Sequence, residues 1–509
     1  MSSDKECNNN NNPAFIERAD SLTKHFQLSH EDFEKISGLL SKEFDRGLRS
    51  TKDSIVKMYL TYVRSLPNKE EHGRYLALDL GGTNIRVLLL KFHGPGSDTS
   101  LVKQQQQQQQ QEQSEKIEII DSLCQPLPTE LFYGTGQQLF DFIAELIVSF
   151  ALRNKLAGVR IALGFTFSFP VVQHGLAEAT LVTWTKSFVC SGVVGFDVVR
   201  LLKASLKRKM HHSIPYIDVV AIINDTTGTL IFGALQDKNC AIGLIVGTGS
   251  NACYVEQLHN IEKWPFNYSD PKQVVINCEC GAFGDNHVID WALTRWDRGL
   301  NYESLNLNKQ IHEKLISGMY LPEILRRCLL TLIELGILFD GRPPLELFRP
   351  YSIKTKFMSQ IDQDDGNNND FLHTRKAMQN IFGTENPRFK NGFQDSDVKI
   401  IHMINQRITR RSANFVATAL WTLMCRINRE DISIAYDGSL ICLHPHYRQW
   451  VENKLNEFIA KSGRIKRFSM IHANDGSLYG AAIVAAICYR EKRPKFIKKH
   501  GKVYEITRF

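Results

Sequence analysis

Two stretches of the chain set a polar group at the end of an apolar run and follow it with glycines and hydroxyls. In the first, Asp79 precedes Gly81, Gly82, Thr83, Asn84 and Arg86; in the second, an apolar run leads into Gly247, Thr248, Gly249, Ser250 and Asn251. Glycines lack Cβ and permit positive φ, so backbone N–H groups can approach phosphate oxygens closely. Asp79 can face a metal ion or its waters, and Arg86 adds a guanidinium. No GxxxxGK[ST] occurs, so neither turn is a P-loop. Each alone could be a tight hairpin turn that needs glycine for geometry. Two of them, each leaving an apolar strand, favour a clamp around a polyphosphate.

A third group, Asn224, Asp225, Thr226, Thr227 and Gly228, follows the apolar run 219–223. A carboxylate at the C-terminal end of a strand is well placed for catalysis in an α/β crevice. Asp and Asn are also strong helix N-caps, so capping alone would explain these residues. Ser168 lies within 164–170, and Thr185 and Lys186 follow Trp184. Asn277 and Glu279 precede Gly281, and Glu313 comes later. Acids and amides present donors and acceptors in fixed planes, as vicinal hydroxyls require. Such a site rejects an analogue lacking a hydroxyl, because its own polar groups would be left unpaired.

These residues need rigid carriers. Residues 75–92 read as strand, turn, strand; 140–150 as a helix; 159–165 as a buried strand; 198–209 as a helix; and 219–223 as a strand. That alternation predicts an α/β domain with a mostly parallel sheet. Residues 241–255 repeat the strand, glycine-threonine turn, strand plan, which points to two related halves facing each other across a cleft. Residues 22–66 carry apolar positions at helical spacing, with a helix start at Ser29 before Glu31 and Asp32. From 311 onward the chain reads as largely helical, closed by glycine turns at Gly438 and Gly476. The glutamine run 104–111, between two strand-like segments, is expected in a surface hairpin loop as a tolerated insertion.

Bulk composition bounds the rest. A chain of 509 residues exceeds one compact core. It is 43% hydrophobic and 23% charged, with 62 basic against 54 acidic residues giving a net charge of +8. Part of that excess lies in 490–502, read as a solvated basic tail. Nothing alternates basic and aromatic residues as a nucleic-acid platform does, so no nucleic-acid partner is expected. No apolar run reaches the roughly 20 residues that cross a bilayer. The polar, Asn-rich first residues carry no signal or transit pattern and predict neither membrane insertion nor export. Eleven scattered cysteines without a CxxC pair read as reduced thiols. The expected address is the cytoplasm.

Taken in order, residues 79–86, 163–170, 184–186, 224–228, 243–254, 281–285, 316–320, 410–413 and 443–445 resemble the hexokinase family, over about 15–490. The resemblance implies a two-lobed actin-like ATPase fold (ribonuclease H-like α/β), with small and large domains around a central cleft. It divides the chain into a disordered 1–14, a helical 15–73 packed on the large domain, a small α/β domain 74–223, a large α/β domain 224–470, a return to the small domain over 471–490 and a basic tail 491–509. It implies ATP and Mg²⁺, and a hexose such as glucose, mannose or fructose phosphorylated at its 6-hydroxyl. Asp225 would be the general base, with Lys186 beside the transferring phosphoryl group. Ser168, Thr185, Lys186, Asn224, Asp225, Asn251, Glu279 and Glu313 would hold the sugar. Asp79, Gly81, Gly82, Thr83, Asn84, Arg86 and Thr248 would surround the phosphates, with Thr355, Ser359, Gly438 and Ser439 along the nucleotide. No residue is assigned to Mg²⁺ directly; Asp79 and Asp225 would reach it through water.

Single copies of the motifs imply one catalytic unit, expected as a monomer. Ser187, Cys280, the pair Leu307 and Asn308, and the pair Leu478 and Tyr479 depart from the family pattern. None of them removes a charged catalytic group. They motivate a second reading, a weakly active or non-catalytic hexose-binding sensor. An actin-like ATPase acting on a protein partner would leave the motifs around Ser168 and Lys186 without a purpose.

Overall fold

A computed structural model describes residues 13–94, 117–185, 188–209, 216–364, 370–383, 392–463, 465 and 467–491, and the backbone of 495–499 and 502–506. The glutamine run, residues 1–12, Lys186 and Ser187 lie outside the described residues.

The chain opens with helices α1 (Pro13–Thr23) and α2 (His30–Arg49). Ser29 caps α2 as expected: its hydroxyl accepts from the Asp32 N–H while Asp32 accepts from the Ser29 N–H. The helical spacing of 22–66 does not persist, because α2 ends at Arg49 and Tyr59–Leu60 becomes a short edge strand. An apolar run without caps is ambiguous between the two states, and here pairing with the 273–277 strand decides.

Strands β1 (Gly73–Leu80), β2 (Asn84–Phe92) and β3 (Ile117–Pro126) form an antiparallel meander. Helix α3 (Gly136–Arg153) leads to β4 (Arg160–Phe167), and α4 (Val198–Lys209) to β5 (Tyr216–Ile223). The sheet order is β3-β2-β1-β4-β5, with the last two strands parallel to β1.

Helix α5 (Asp225–Gln236) then passes to a second sheet, which begins with β6 (Cys240–Val246), β7 (Ser250–Gln257) and β8 (Gln273–Asn277). A helical region follows, including α6 (Ile311–Ile316) and the 33-residue α7 (Asp395–Ile427). The sheet is completed by β9 (Asp431–Asp437) and β10 (Arg467–His472), and α8 (Gly476–Glu491) returns to the first sheet. Its order is β8-β7-β6-β9-β10, extended at the β8 edge by Tyr59–Leu60. Both sheets therefore run third, second, first, fourth, fifth, with the same parallel and antiparallel pairs. The two related halves read from the glycine-threonine turns are one topology used twice, as in the two-lobed actin-like fold. The helical reading beyond 311 missed β9 and β10.

Strand alternation decides which core each side chain enters. Leu76, Leu78 and Leu80 of β1 face a core shared with α3 and α4, while Tyr75 and Ala77 face the side covered by α8. Asp79 has the parity of Tyr75 and Ala77. It emerges against the start of α8. Beyond α8 the basic tail pairs Lys495–Lys499 with Lys502–Ile506 as an antiparallel hairpin.

Candidate active site

Register places the first group of polar residues. Asp79 pairs with Thr166 across β1 and β4, and Thr166 pairs with Ile223 across β4 and β5. Three parallel strands thus end in one row. Asp79 is the penultimate residue of the first, Ser168 is the first residue beyond the second, and Asn224 and Asp225 follow the third. The C-terminal edge of such a sheet is where ligands bind in α/β folds.

Asn224 is the N-cap of α5, its Oδ1 accepting from the N–H groups of Thr226 and Thr227. Capping and catalysis are therefore not alternatives: Asn224 caps, and Asp225 is the first helical residue. Asp225 is half-buried, and its Oδ1 accepts from Asn224 Nδ2 at 2.9 Å and the Thr226 N–H at 2.8 Å.

Asp79 is 5% exposed, and Arg86 Nη2 and Ser477 Oγ both donate to its Oδ2. Burial pushes its carboxyl up; Arg86 pulls against that, and the charge of nearby Asp225 adds to it. Arg86 also donates to Asp475, tying the β2 strand to the turn before α8. Thr83 and Asn84 are exposed beside them. The positive φ that Gly81 and Gly82 permit is not used, since neither is among the positive-φ glycines. Their lack of a side chain still leaves the turn's backbone open.

The second lobe supplies a polar network. Asn251 and Asn277 each donate an amide N–H to Glu279 Oε1 at 2.9 Å, and Asn251 Oδ1 accepts from the Glu279 N–H at 3.1 Å. Glu313, in the first turn of α6, accepts from the Ser250 N–H at 3.0 Å. Burial raises the Glu279 carboxyl to about 7, helped by the charges of Asp225 and Glu313 and opposed by the two asparagines. Asp225, Glu279 and Glu313 thus lie close enough for the charges of two to act on the third. Uncharged hydroxyl donors suit this cluster better than another anion.

The first lobe's counterpart is anchored by aromatic rings. Trp184 stacks on Phe188 with centroids 5.2 Å apart and meets Phe169 edge-on at 4.9 Å, and its Nε1 donates to the Cys190 carbonyl. These rings hold both ends of the segment carrying Thr185, which is exposed, and brace Phe169 beside half-buried Ser168. The alternating Phe165, Phe167 and Phe169 gave a signal for this support, read only as part of a motif.

A cavity of about 290 Å³ opens beside the second lobe's glycine turns, lined by Gly247, Thr248, Gly318, Met319, Thr355 and Ser439 among others. Gly438 adopts φ +110°, and a Cβ there would stand 2.6 Å from the Val246 carbonyl, so only glycine fits this approach. Thr355 Oγ1 donates to the Gly318 carbonyl. Ser359 does not line the cavity; it sits a turn further along the helix, its hydroxyl donating to the Thr355 carbonyl. Tyr351, Ile353 and Lys354 on the cavity wall, and Asp475 and Ser477 beside Asp79, escaped residue-level assignment in the sequence.

Among the departures, Asn308 takes φ +54°, a conformation asparagine tolerates. Cys280 is buried behind Glu279, and Leu478 is buried at the start of α8. The Tyr479 ring stacks on Phe232 of α5 at 5.1 Å.

Two family models, both described as hexokinase, match residues 18–235 and 241–487. The Schistosoma mansoni protein named hexokinase is 35% identical over 482 residues, covering 94% of this chain and 98% of its own. The chain belongs to the hexokinase family. Human Hexokinase-1 is 36% identical over 474 residues, covering 92% of this chain and 47% of its own, so the chain spans about half the length of that relative. Among solved structures, the Schistosoma mansoni hexokinase complexed with glucose aligns with TM-score 0.79 at 34% identity, covering 94% of this chain and 99% of that one. A second hexokinase crystal structure aligns with TM-score 0.77 at 27% identity, covering 94% and 100%. Membership in the hexokinase family thus extends to both lobes. No helix among the described residues is long and apolar enough to cross a membrane.

Proposed function

We propose that this chain transfers the γ-phosphoryl group of ATP to the 6-hydroxyl of a hexose, with Asp225 as the general base. The observation that carries the reading is the half-buried Asp225 carboxylate at the start of α5, close to Glu279 and Glu313 and beside the row that holds Asp79. Asp225 takes the proton from the sugar hydroxyl as its oxygen attacks phosphorus. A positioned base typically gives about 10²–10⁴ in rate, or roughly 3–5 kcal/mol of barrier. Asn224, Asn251, Glu279 and Glu313 orient the sugar from one lobe; Ser168 and Thr185 do so from the other. Lys186, outside the described residues, is assigned to the sugar and to the transferring phosphoryl group on the family resemblance alone.

On the nucleotide side, Thr83, Asn84 and Thr248 meet phosphate oxygens, while Thr355 and Ser439 line the cavity for the nucleoside. The charge of Asp225 is felt at Asp79. Two such oxygen donors suit Mg²⁺, which prefers oxygen ligands and keeps several waters. Bound with ATP, Mg²⁺ would neutralise phosphate charge. The chain's own part is to hold Asp79 in place through Arg86 and Ser477. Closure of the lobes would exclude water as a competing acceptor.

The ten described cysteines are free thiols, as a reducing compartment leaves them; a cytosolic monomer with one catalytic unit is the setting we propose. The test is a coupled assay of sugar 6-phosphate formation with Mg-ATP across glucose, mannose and fructose. Turnover of at least one, abolished in Asp225→Ala, is expected. Glucose binding without any turnover would instead support the sensor.

A further inference from the structure

Strands β9 and β10 lie parallel, with Tyr436 in register with His472, so both chains leave the sheet side by side. Asp437 is the last residue of β9. The positive-φ turn at Gly438 reverses the chain into the short helix Ser439–Leu443, which brings Cys442 back over Asp437, with its Sγ 3.9 Å from Asp437 Oδ1. The His472 ring is stacked against Tyr436, centroids 5.4 Å apart with 24° between the ring planes. One carboxylate oxygen, one sulfur and one imidazole nitrogen thus lie within 4.8 Å of one another. Among the described residues no other such trio of His, Cys, Asp or Glu donors comes together.

We propose that Asp437, Cys442 and His472 form a site for a borderline-soft divalent cation such as zinc, at the rim of the nucleotide cavity. The donor types decide the class of ion. Zinc takes thiolate, imidazole and carboxylate ligands, with a water or another group in the fourth position of a three-ligand site. Magnesium demands oxygen and keeps its waters, so this site does not duplicate the Mg²⁺ that accompanies ATP. The half-buried thiol and carboxylate hold the inner side, and the exposed His472 closes the site from solvent, leaving an entry path. Its position also matters: Asp437 is two residues before Ser439 on the cavity wall, and its Oδ1 already accepts from the Gly438 N–H at 2.6 Å, so an ion there would brace the turn that shapes the cavity.

The test is a cobalt(II) titration of the metal-free full chain without nucleotide, read by the thiolate-to-cobalt charge-transfer absorption, alongside zinc calorimetry. One equivalent of metal and a charge-transfer band are expected. The band should vanish in Cys442→Ser, and zinc affinity should fall at least about tenfold in His472→Gln. Because Cys124 is the exposed thiol among the described residues, Cys124→Ser serves as a control and should keep the band. No band, a band that survives Cys442→Ser, or one lost with Cys124→Ser would overturn the assignment. Should Cys442→Ser fail to fold, undiminished zinc affinity in the exposed His472→Gln variant would overturn it alone.

Discussion

Gly228 of α5 and Gly480 of α8 meet backbone to backbone: a Cβ on Gly480 would stand 2.2 Å from the Gly228 carbonyl oxygen. No flexible side chain is there to give way. Gly480→Ala must push two helices apart, at a cost of about 1–3 kcal/mol for overpacking. Urea unfolding should show the midpoint falling, and because α5 carries Asp225, kcat should fall with it. An unchanged midpoint would mean the helices do not cross as closely as described.

Asp225→Asn keeps the shape of the side chain and removes its basicity. Phosphorylation should slow by about 10²–10⁴, while calorimetric hexose affinity stays within a few-fold, since the sugar's other partners remain. A loss of sugar binding equal to the loss of rate would recast Asp225 as a binding group.

Glu279 gives a pH signature. With its carboxyl raised to about 7 from 4.5, the folded chain holds a proton through a window where the unfolded chain has lost it. The stability it contributes is full below about pH 4.5 and is lost as pH rises through about 7. A hexose donating hydroxyls to this group favours the ionised form. Binding should therefore release a proton and tighten as pH climbs through that range. Calorimetry in two buffers of different ionisation enthalpy measures the proton, which should disappear in Glu279→Gln. Equal heats in both buffers for the unmodified chain would refute it.

Arg411 carries a structural role. Its guanidinium donates to both Asp297 oxygens at 2.7 Å, with both side chains almost fully buried, and lies over the Phe26 ring. Arg411→Ala strands the Asp297 charge and should cost about 3–5 kcal/mol, read as a lower thermal midpoint. Arg411→Ala, Asp297→Ala together should recover part of that loss.

What sequence reading could reach follows from range. The stretch 75–92 declares itself because apolar alternation and a glycine turn are local, and Asn224 with Asp225 because caps and strand ends are local too. Strands β9 and β10 escaped because each is short and framed by helices; only pairing of Asp437 with Ile245, far along the chain, makes β9 a central strand. The partners of Arg86 were equally hidden. Asp475 sits in a turn that nothing near residue 86 announces, so its pairing with Arg86 emerges only once the fold brings that carboxylate alongside. Gly81 and Gly82 were legible as glycines needed for an open backbone, yet not for the sign of φ, which only coordinates give.

The exchange of helices between the sheets has a further effect. Helix α5 leaves the first sheet to cover the second, and α8 leaves the second to cover the first. Neither half is finished by its own residues, so a chain cut at the junction would bare an apolar sheet face on both fragments. The two polypeptide crossings lie against each other where Gly228 meets Gly480, so the same contact joins both halves.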